Sequence, residues 1–257
     1  MTIVPFRDLN GRFNLKDSDR VLDIGGSGGQ VEEVQIDTLI DAVHPEYFRK
    51  MYTHILPPER RPAFDVNARH FIQLDLCRDC FPVPDKAFDF CIFTHTLEDL
   101  YDPRLALAEI GRVAKRGLIV TPSRGAEMVF TPFDITDWLT GGARVPGHAH
   151  HHWFVEVLAG KLTITPKHYP LLYSPEFHVV GWSGPAECEY YWEGQPNVTF
   201  WESLDFRELL SDYRRFLAAN GQRLRTGRVL FWVDRPQTML RAYWRRARRV
   251  GNAYKLG

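Results

Sequence analysis

The residues best suited to chemistry in this 257-residue sequence lie in a glycine-rich segment, Asp23-Ile24-Gly25-Gly26-Ser27-Gly28-Gly29. This segment directly follows an apolar run from Arg20 to Ile24. Glycines let a backbone approach a ligand closely and adopt positive φ without a Cβ clash. The positions that we expect to contact a ligand are Asp23, Gly25, Gly26, Ser27 and Gly29. Alone, such a turn is a weak signal, because it also occurs in α/β proteins with other tasks.

Two further acidic residues follow later apolar runs. Asp41 lies in the run from Asp37 to Ala42, 18 residues after Asp23, where a carboxylate can accept both ribose hydroxyls of a nucleoside. Asp75 ends the run that begins at His70, and we expect it to accept a hydrogen bond from an adenine amino group. The carboxyl ends of parallel strands meet at one edge of a sheet, so these carboxylates predict a nucleoside site.

Short apolar runs predict the strands that position these carboxylates. They are Arg20 to Ile24, Asp37 to Ala42, His70 to Asp75, Phe88 to Thr94 and Leu118 to Thr121. A helix is predicted from Pro103 to Ala114, because proline suits the first turn of a helix. This pattern is typical of a Rossmann-like α/β fold, a mostly parallel sheet with helices on both faces.

The pattern changes after Pro122, and β-hairpins become the main prediction. The predicted elements are a hairpin from Trp153 to Lys167, a second from Cys188 to Trp201, and a helix from Leu204 to Asn220. We predict that residues 1–123 form the Rossmann-like core. Residues 124–234 are predicted to be a hairpin-rich elaboration of the same domain that forms the substrate pocket, and residues 235–257 a basic amphipathic tail.

Two motifs resemble those of one enzyme family. The first is the pattern Asp23, Gly25, Ser27, Gly29, and the second is Phe88-Asp89-Phe90 followed by His95-Thr96-Leu97-Glu98-Asp99-Leu100. Over about Val21 to Pro122 the chain is similar to the class I S-adenosylmethionine-dependent methyltransferases, specifically the small-molecule group of methyltransferase type 11. Ser27 stands at the second glycine position of that family, and Asp99 stands where histidine is usual.

The resemblance implies an enzyme that binds S-adenosylmethionine (SAM) at the ends of its strands. In this family the residues after the fourth strand line the methionine part of the cofactor, which adds Thr94 and His95 to the expected binding residues. Leu76, beside Asp75, is included with them.

The connection between Gly29 and Asp37 agrees with such a cofactor. Only seven residues, QVEEVQI, separate them, so the first helix should be very short or missing. A pyrophosphate depends on the amino terminus of that helix, whereas a sulfonium cofactor has no phosphate to hold. The short connection therefore favours a methyltransferase over a dehydrogenase.

A histidine cluster, Gly147-His148-Ala149-His150-His151-His152-Trp153, offers a base for a hydroxyl acceptor. We favour His151 or His152 as the catalytic residue, with His95 as a further candidate. Two alternatives stay open: these histidines bind a divalent metal together with Glu98 and Asp99, or they form a solvated loop without chemistry. Our prediction assigns no metal ligand.

The activity expected is O-methylation of a small molecule or a glycan unit. N-methylation or carboxyl methylation is the nearest alternative. An RNA methyltransferase that reads its substrate with the basic tail is another, and a non-catalytic protein that only binds SAM is the last.

The charge distribution separates the tail from the rest of the chain. From Arg235 to Gly257 there are seven Lys or Arg residues and no acid, although the whole chain has a net charge of zero. Such a basic amphipathic helix suits an anionic membrane surface better than nucleic acid, or it packs on the protein. The first residues do not resemble a signal peptide, and we expect a cytoplasmic location.

Overall fold

The structure is a computed structural model that describes residues 9–28, 34–55, 68–131 and 145–227. Gly29, the basic tail and most of the short connection before β2 lie outside these residues, so the predictions for them stay predictions. No helix in the described ranges is long and apolar enough to cross a membrane.

The five predicted strands of the first half and the two predicted helices are present with small shifts of their ends, and further helices and strands that were not predicted accompany them. The α-helices are α1 Leu9–Phe13, α2 Pro45–Ile55, α3 Arg104–Val113, α4 Arg124–Glu127, α5 Tyr169–Leu172 and α6 Phe206–Ala219. The strands are β1 Val21–Ile24, β2 Ile36–Asp41, β3 Ala68–Gln73, β4 Phe90–Thr94, β5 Arg116–Pro122, β6 Phe130–Thr131, β7 Val145–Pro146, β8 Trp153–Leu158, β9 Lys161–Pro166, β10 Val179–Trp182, β11 Glu187–Glu193, β12 Val198–Phe200 and β13 Leu224–Thr226. Short 3₁₀-helices span Gly26–Gly28, Leu97–Asp99 and Pro175–Phe177.

The main sheet has six strands in the order β11-β5-β4-β1-β2-β3. The pairs β1–β2, β1–β4, β2–β3 and β4–β5 are parallel, which confirms the predicted Rossmann-like sheet. All residues of β1 and β4 are buried, as expected for strands covered on both faces. Apolar side chains of β1, β2, β4 and β5 form one core, which includes Val21, Leu39, Phe90, Ile92 and Val120.

The register brings the carboxyl ends of the central strands together. Ile24 at the end of β1 pairs with Ile40 of β2 on one side and with Phe93 of β4 on the other. The amide of Gly25 then donates to the carbonyl of Ile40 at 2.8 Å, which fixes the first residue after the strand. The residues that follow β1, β2 and β4 therefore lie at one edge of the sheet.

The chain divides into two compact units. The first contains residues 1–121, 157–163 and 188–199, and the second contains residues 122–156, 164–187 and 200–257. The second unit has its own apolar core, which is built from Met128, Phe154, Leu172, Phe177, Val179, Leu209, Tyr213 and Leu224. Our predicted boundaries at residues 123 and 234 are a different division and stay predictions.

The first predicted hairpin is confirmed. Strands β8 and β9 are neighbours in a three-stranded sheet of order β12-β9-β8, and the turn between them is Ala159-Gly160. Both turn residues have positive φ, 49° and 75°, as a tight two-residue turn requires.

The second predicted hairpin, Cys188 to Trp201, is wrong. Strand β11 joins the main sheet beside β5, whereas β12 pairs with β9 in the other sheet. The turn at Gly194 is held by other parts of the chain, because its amide donates to the carbonyl of Lys115 at 2.8 Å and its carbonyl accepts from Lys86 Nζ at 2.8 Å. Pro196 follows and cannot donate a hydrogen bond to a neighbouring strand.

A buried arginine joins three elements of the second unit. Arg124, the first residue of α4, is 3% exposed and contacts Glu156 and Asp212 with its two terminal nitrogens at 2.7 Å each. Its guanidinium also lies 4.6 Å from the ring centroid of Phe216. An arginine in this setting stacks on the ring and pairs with two carboxylates at once, which fixes the start of α4.

We predict that Arg124→Ala lowers the free energy of unfolding by about 3 kcal/mol, because it leaves two half-buried carboxylates without their partner. Denaturant unfolding followed by circular dichroism measures this loss. The control is Arg214→Ala, which removes an exposed pair with Glu176 and should leave the stability close to that of the wild type. Equal stabilities of the two variants would contradict the role given to Arg124.

Candidate active site

The turn after β1 accepts only glycine at two positions. Gly25 has φ of +73°, and a Cβ built on it would lie 2.1 Å from Oγ1 of Thr96. A Cβ on Gly26 would lie 1.9 Å from Oδ2 of Asp23. The turn therefore fits closely between the side chain of Asp23 and the segment that follows β4.

Asp41, the last residue of β2, supports this turn. Its Oδ2 accepts from the amide of Ser27 at 3.1 Å, and its Oδ1 accepts from the amide of Val43 at 3.0 Å. A carboxylate can accept about four hydrogen bonds, so Asp41 keeps acceptor positions for a ligand.

Asp23 is buried in an environment that opposes its charge. It is 4% exposed. Burial and the negative charge of Asp41 raise the pKa of Asp23 to about 7, although a backbone hydrogen bond from Ile24 acts in the opposite direction. An acid whose pKa is raised this far, beside a glycine turn, is typical of a ligand site.

Several buried oxygens at this edge have no hydrogen-bond partner within the described part of the chain. They are Oδ1 of Asp23, Oγ of Ser27 and both carboxylate oxygens of Glu98. Buried polar groups are nearly always satisfied in folded proteins, so oxygens of this kind fit a ligand that brings its own donors. The ammonium and hydroxyl groups of SAM are such donors, and the residues present therefore fit this cofactor.

The segment after β4 lies at the same edge of the sheet, beside the glycine turn. Thr94, the last residue of β4, is fully buried, and its carbonyl accepts from Oγ1 of Thr96 at 3.0 Å. His95 has φ of +47°, a conformation in which a residue other than glycine is uncommon. Its Nδ1 lies 3.6 Å from Oε1 of Glu98, so the two side chains are close.

The third strand ends earlier than predicted. Strand β3 stops at Gln73, and Asp75 follows in a turn in which its Oδ1 accepts from the amide of Cys77 at 2.9 Å. Asp75 is exposed, whereas Leu76 is buried. The amide of Leu74 donates to the carbonyl of Asp41 at 3.1 Å, which keeps this segment beside the end of β2.

The histidine cluster of the second unit surrounds a carboxylate that our sequence analysis missed. Glu127, the last residue of α4, is 2% exposed. Its Oε1 lies 2.7 Å from Nδ1 of His148, and its Oε2 lies 3.1 Å from Nδ1 of His151. The structure therefore brings His148 and His151 together on one buried acid.

Lys167 also contacts this carboxylate. Its Nζ, on a fully buried side chain, pairs with Oε2 of Glu127 and donates to the carbonyl of His148 at 2.9 Å. Burial alone would raise the pKa of Glu127, but the charge of Lys167 and the close contacts with His148 and His151 outweigh it and hold that pKa well below its usual value.

The two favoured histidines differ in their surroundings. His151 is 3% exposed and His152 is exposed, with its carbonyl accepting from the amide of Lys167 at 2.9 Å. His151 is therefore the better candidate of the two, because it is buried beside the carboxylate of Glu127.

Charge rather than geometry opposes a divalent metal on Glu127, His148 and His151. Their ligand atoms lie within 4.8 Å of one another. The ammonium of Lys167 already neutralises this carboxylate, however, and it would repel a second cation. The metal alternative with Glu98 and Asp99 stays a prediction, because these residues belong to the other compact unit.

Comparison with known proteins matches the part of the chain that contains the first of these two groups of residues. The family model described as "Methyltransferase domain" matches residues 22–121, which contain the glycine turn, Asp41 and the segment after β4. This part of the chain is a methyltransferase domain. The resemblance to the class I methyltransferases is thereby confirmed, and the cofactor of this enzyme domain is SAM.

The similarity of the chain to solved structures is weak. The YcgJ protein from Bacillus subtilis is 25% identical, with a TM-score of 0.28, over 41% of this chain and 44% of that chain. A SAM-dependent methyltransferase from Aquifex aeolicus is 23% identical, with a TM-score of 0.31, over 44% of this chain and 61% of that chain. Another, from Methanosarcina mazei, is 22% identical, with a TM-score of 0.32, over 44% and 57%.

The chain covers less than two thirds of the length of each of these proteins. A search of curated proteins found no match to the chain.

We predict that Asp23→Asn stabilises the free protein more at pH 7 than at pH 5. The folded protein binds the Asp23 proton up to about pH 7, whereas the unfolded chain loses it near 3.8, so wild-type stability falls as pH rises between these values. The neutral amide has no such dependence. The difference in unfolding free energy should change by about 2 to 3 kcal/mol in favour of the variant between pH 5 and pH 7.

Chemical denaturation across this pH range measures the difference. The control is Asp17→Asn at an exposed position, which should show no trend. A gap between wild type and Asp23→Asn that is the same at every pH would contradict the buried, proton-binding state of Asp23.

Proposed function

We propose that this protein is a SAM-dependent methyltransferase that acts on a hydroxyl group of a small molecule or a glycan unit. The observation that carries the first part of this proposal is the glycine turn held between Asp23 and Thr96 inside the matched domain. The unpartnered buried oxygens around that turn support it, because they leave acceptors for a ligand.

The residues after β1 and β2 would hold the nucleoside. We expect the free acceptor positions of Asp41 to receive the ribose hydroxyls, while Gly25, Gly26 and Gly29 let the backbone lie against the cofactor. Asp75 and Leu76 would hold the adenine. Leu76 offers a buried apolar side chain for this purpose, and Asp75 an exposed carboxylate.

The residues near the turn and after β4 would hold the amino acid part. Asp23 can supply the negative charge for an ammonium group, and its hydrogen-bond acceptor Oδ1 is available for that donor within the described structure. Ser27, Thr94 and His95 complete this end of the site. When bound, SAM supplies an electrophilic methyl group on a sulfonium. The protein then has to orient donor and acceptor and exclude water.

A hydroxyl acceptor needs a base, and His151 is our first choice. Its burial and its contact with Glu127 support this assignment, because a general base must be oriented as well as basic. His152 is exposed, and His95 is the alternative within the methyltransferase domain itself.

The remaining expectations are proposals of the same kind. N-methylation or carboxyl methylation, RNA methylation and cofactor binding without turnover are the competing functions. We propose a cytoplasmic location, and an anionic membrane surface as partner of the basic tail, with nucleic acid as the weaker choice. Neither proposal affects the assignment of the cofactor.

We predict that Asp41→Ala weakens binding of SAM and of S-adenosylhomocysteine by about 1 to 3 kcal/mol, because two hydrogen bonds to the ribose are lost. Isothermal titration calorimetry with the full chain measures both ligands. Glu46→Ala, an exposed change in α2 nearby in sequence, should bind both ligands as the wild type does. Wild-type affinity in a folded Asp41→Ala protein would contradict the nucleoside site.

We predict that the protein transfers labelled methyl from SAM to methyl glycosides and that His151→Ala removes the pH dependence of this transfer between pH 6 and 9. The wild-type rate should rise as a histidine loses its proton, whereas the variant should be at least about 100-fold slower and flat. His152→Ala is the matched control and should keep the wild-type profile.

Amino sugars matched to these glycosides, tested in the same assay, distinguish a hydroxyl acceptor from an amine acceptor. Label that enters only the amino sugars would contradict O-methylation, and an unchanged pH profile in His151→Ala would contradict the choice of base.

A further inference from the structure

We infer that Glu98 binds the sulfonium of SAM and makes the protein hold SAM more tightly than S-adenosylhomocysteine. This inference rests on the proposed function, because the cofactor must lie at the edge of the sheet where Glu98 is found. It gives a cofactor role to a residue that our sequence analysis considered only as a metal ligand.

Glu98 is a buried carboxylate that accepts no hydrogen bond from the described part of the chain. It is 1% exposed, and neither Oε1 nor Oε2 has a hydrogen-bond partner there. The Nδ1 of His95 lies 3.6 Å from Oε1, which is longer than a hydrogen bond. Taking a carboxylate out of water without donors or a counter-charge is costly, so a residue in this state indicates a ligand that supplies one or the other.

The backbone around Glu98 is fixed against the glycine turn. Oγ1 of Thr96 contacts the carbonyl of Gly25 at 3.4 Å, and this side chain is also the one that a Cβ on Gly25 would strike. The amide of Asp99 donates to the carbonyl of Thr96 at 3.1 Å, which closes the 3₁₀ turn that contains Glu98. Glu98 therefore lies at the same edge as Asp23, and a shift away from this edge would break these contacts.

The charges of the cofactor match the unpartnered carboxylates of this edge. SAM has two cationic groups, the ammonium of its amino acid part and the sulfonium. The buried carboxylates with unpartnered oxygens in this unit are those of Asp23 and Glu98. Asp41 differs from them, because its two oxygens accept from the amides of Ser27 and Val43. The assignment of Asp23 to the ammonium leaves the carboxylate of Glu98 for the sulfonium.

The sulfonium also suits Glu98 in the kind of contact that it makes. A sulfonium has no N–H or O–H group, so a protein attracts it by charge rather than by a hydrogen bond. Salt and water screen such an attraction less in a buried site than at the surface. A cation beside a carboxylate favours the ionised form of that carboxylate. Since Glu98 accepts no hydrogen bond in the described structure, its charge is available for this group.

The charge on sulfur distinguishes SAM from the product S-adenosylhomocysteine. When the methyl group moves to the acceptor, the electron pair of the broken carbon–sulfur bond stays on sulfur, and the acceptor gives its proton to the base. The sulfur is then a neutral thioether. A buried carboxylate beside it loses its counter-charge and cannot regain water as an exposed one would. Glu98 should therefore favour SAM over the product and promote release of the product after transfer.

The test measures both ligands with the full chain by isothermal titration calorimetry at pH 8, where histidine side chains carry little charge. A chelator is present, so that no divalent ion takes part. Glu98→Gln removes the charge and keeps the shape of the side chain, whereas Glu98→Asp keeps the charge. Glu46→Gln is the matched control, because it removes one negative charge from an exposed side chain of the same compact unit.

We expect Glu98→Gln to weaken binding of SAM about 30-fold and binding of S-adenosylhomocysteine less than about threefold, because only SAM loses an attractive pair of charges. Glu98→Asp should keep most of the wild-type ratio of the two affinities, and Glu46→Gln should keep all of it. The steric effect of the methyl group is present in every variant, so it cancels when these ratios are compared.

Two results would overturn the inference. One is a ratio of affinities in Glu98→Gln that equals the wild-type ratio, whether or not both ligands bind more weakly. The other is a selective loss in Glu98→Asp as large as that in Glu98→Gln, which would assign the effect to shape rather than charge. If Glu98→Gln does not fold, Glu98→Met replaces it with the same expected loss, since an apolar side chain of similar length is tolerated where a buried charge is removed.

The two proposals fail in different ways. A wild-type protein that binds neither ligand would overturn the cofactor site and with it the proposed function. Binding of both ligands to the wild type, with a ratio that does not respond to residue 98, would overturn only the role of Glu98. Asp41→Ala separates the two ends of the site, because it acts on the ribose that both ligands share and should lower both affinities by the same factor.

Discussion

The burial of Asp23 beside Asp41 is the constraint on which the cofactor end of this protein depends. Parallel strands place the residues that follow them at one edge, so two negative charges meet where water is scarce, and the pKa of Asp23 rises to about 7. The glycines at positions 25 and 26 follow from the same crowding, since the carboxylate and Thr96 occupy the space that a Cβ needs. An edge built in this way loses stability in the free protein and gains it when a ligand brings positive charge and donors.

Glu127 shows the opposite solution for a buried acid. Its oxygens are surrounded by Lys167, His148 and His151, and its pKa is held low rather than raised. Oδ1 of Asp23 has no hydrogen-bond partner among the described residues, whereas the carboxylate of Glu127 pairs with Lys167 of the protein itself. The first arrangement suits the capture of a ligand, and the second is complete without one.

The central strands and the glycine turn could be predicted from the sequence because short-range residue patterns determine them. The runs that became β1, β2 and β4 are apolar throughout because both faces of these strands are covered, and the glycines of the turn mark a conformation that other residues resist. Glu127 and Lys167 are 40 residues apart, and neither stands in a recognisable motif, so their pairing depends on tertiary packing. The failed hairpin has the same cause, because contacts of Gly194 with Lys86 and Lys115 decide which sheet each strand joins.

The place of β11 in the main sheet affects how the chain can be divided. This strand, residues 187–193, is more than 60 residues after the end of β5 at Pro122 in the sequence, and it is the edge strand beside β5 in the sheet. A fragment cut after the matched domain would therefore lack its border strand and leave the backbone groups of β5 open to pairing with other molecules. Such fragments tend to aggregate, so a shortened enzyme would need residues 187–193 as well as the first half of the chain.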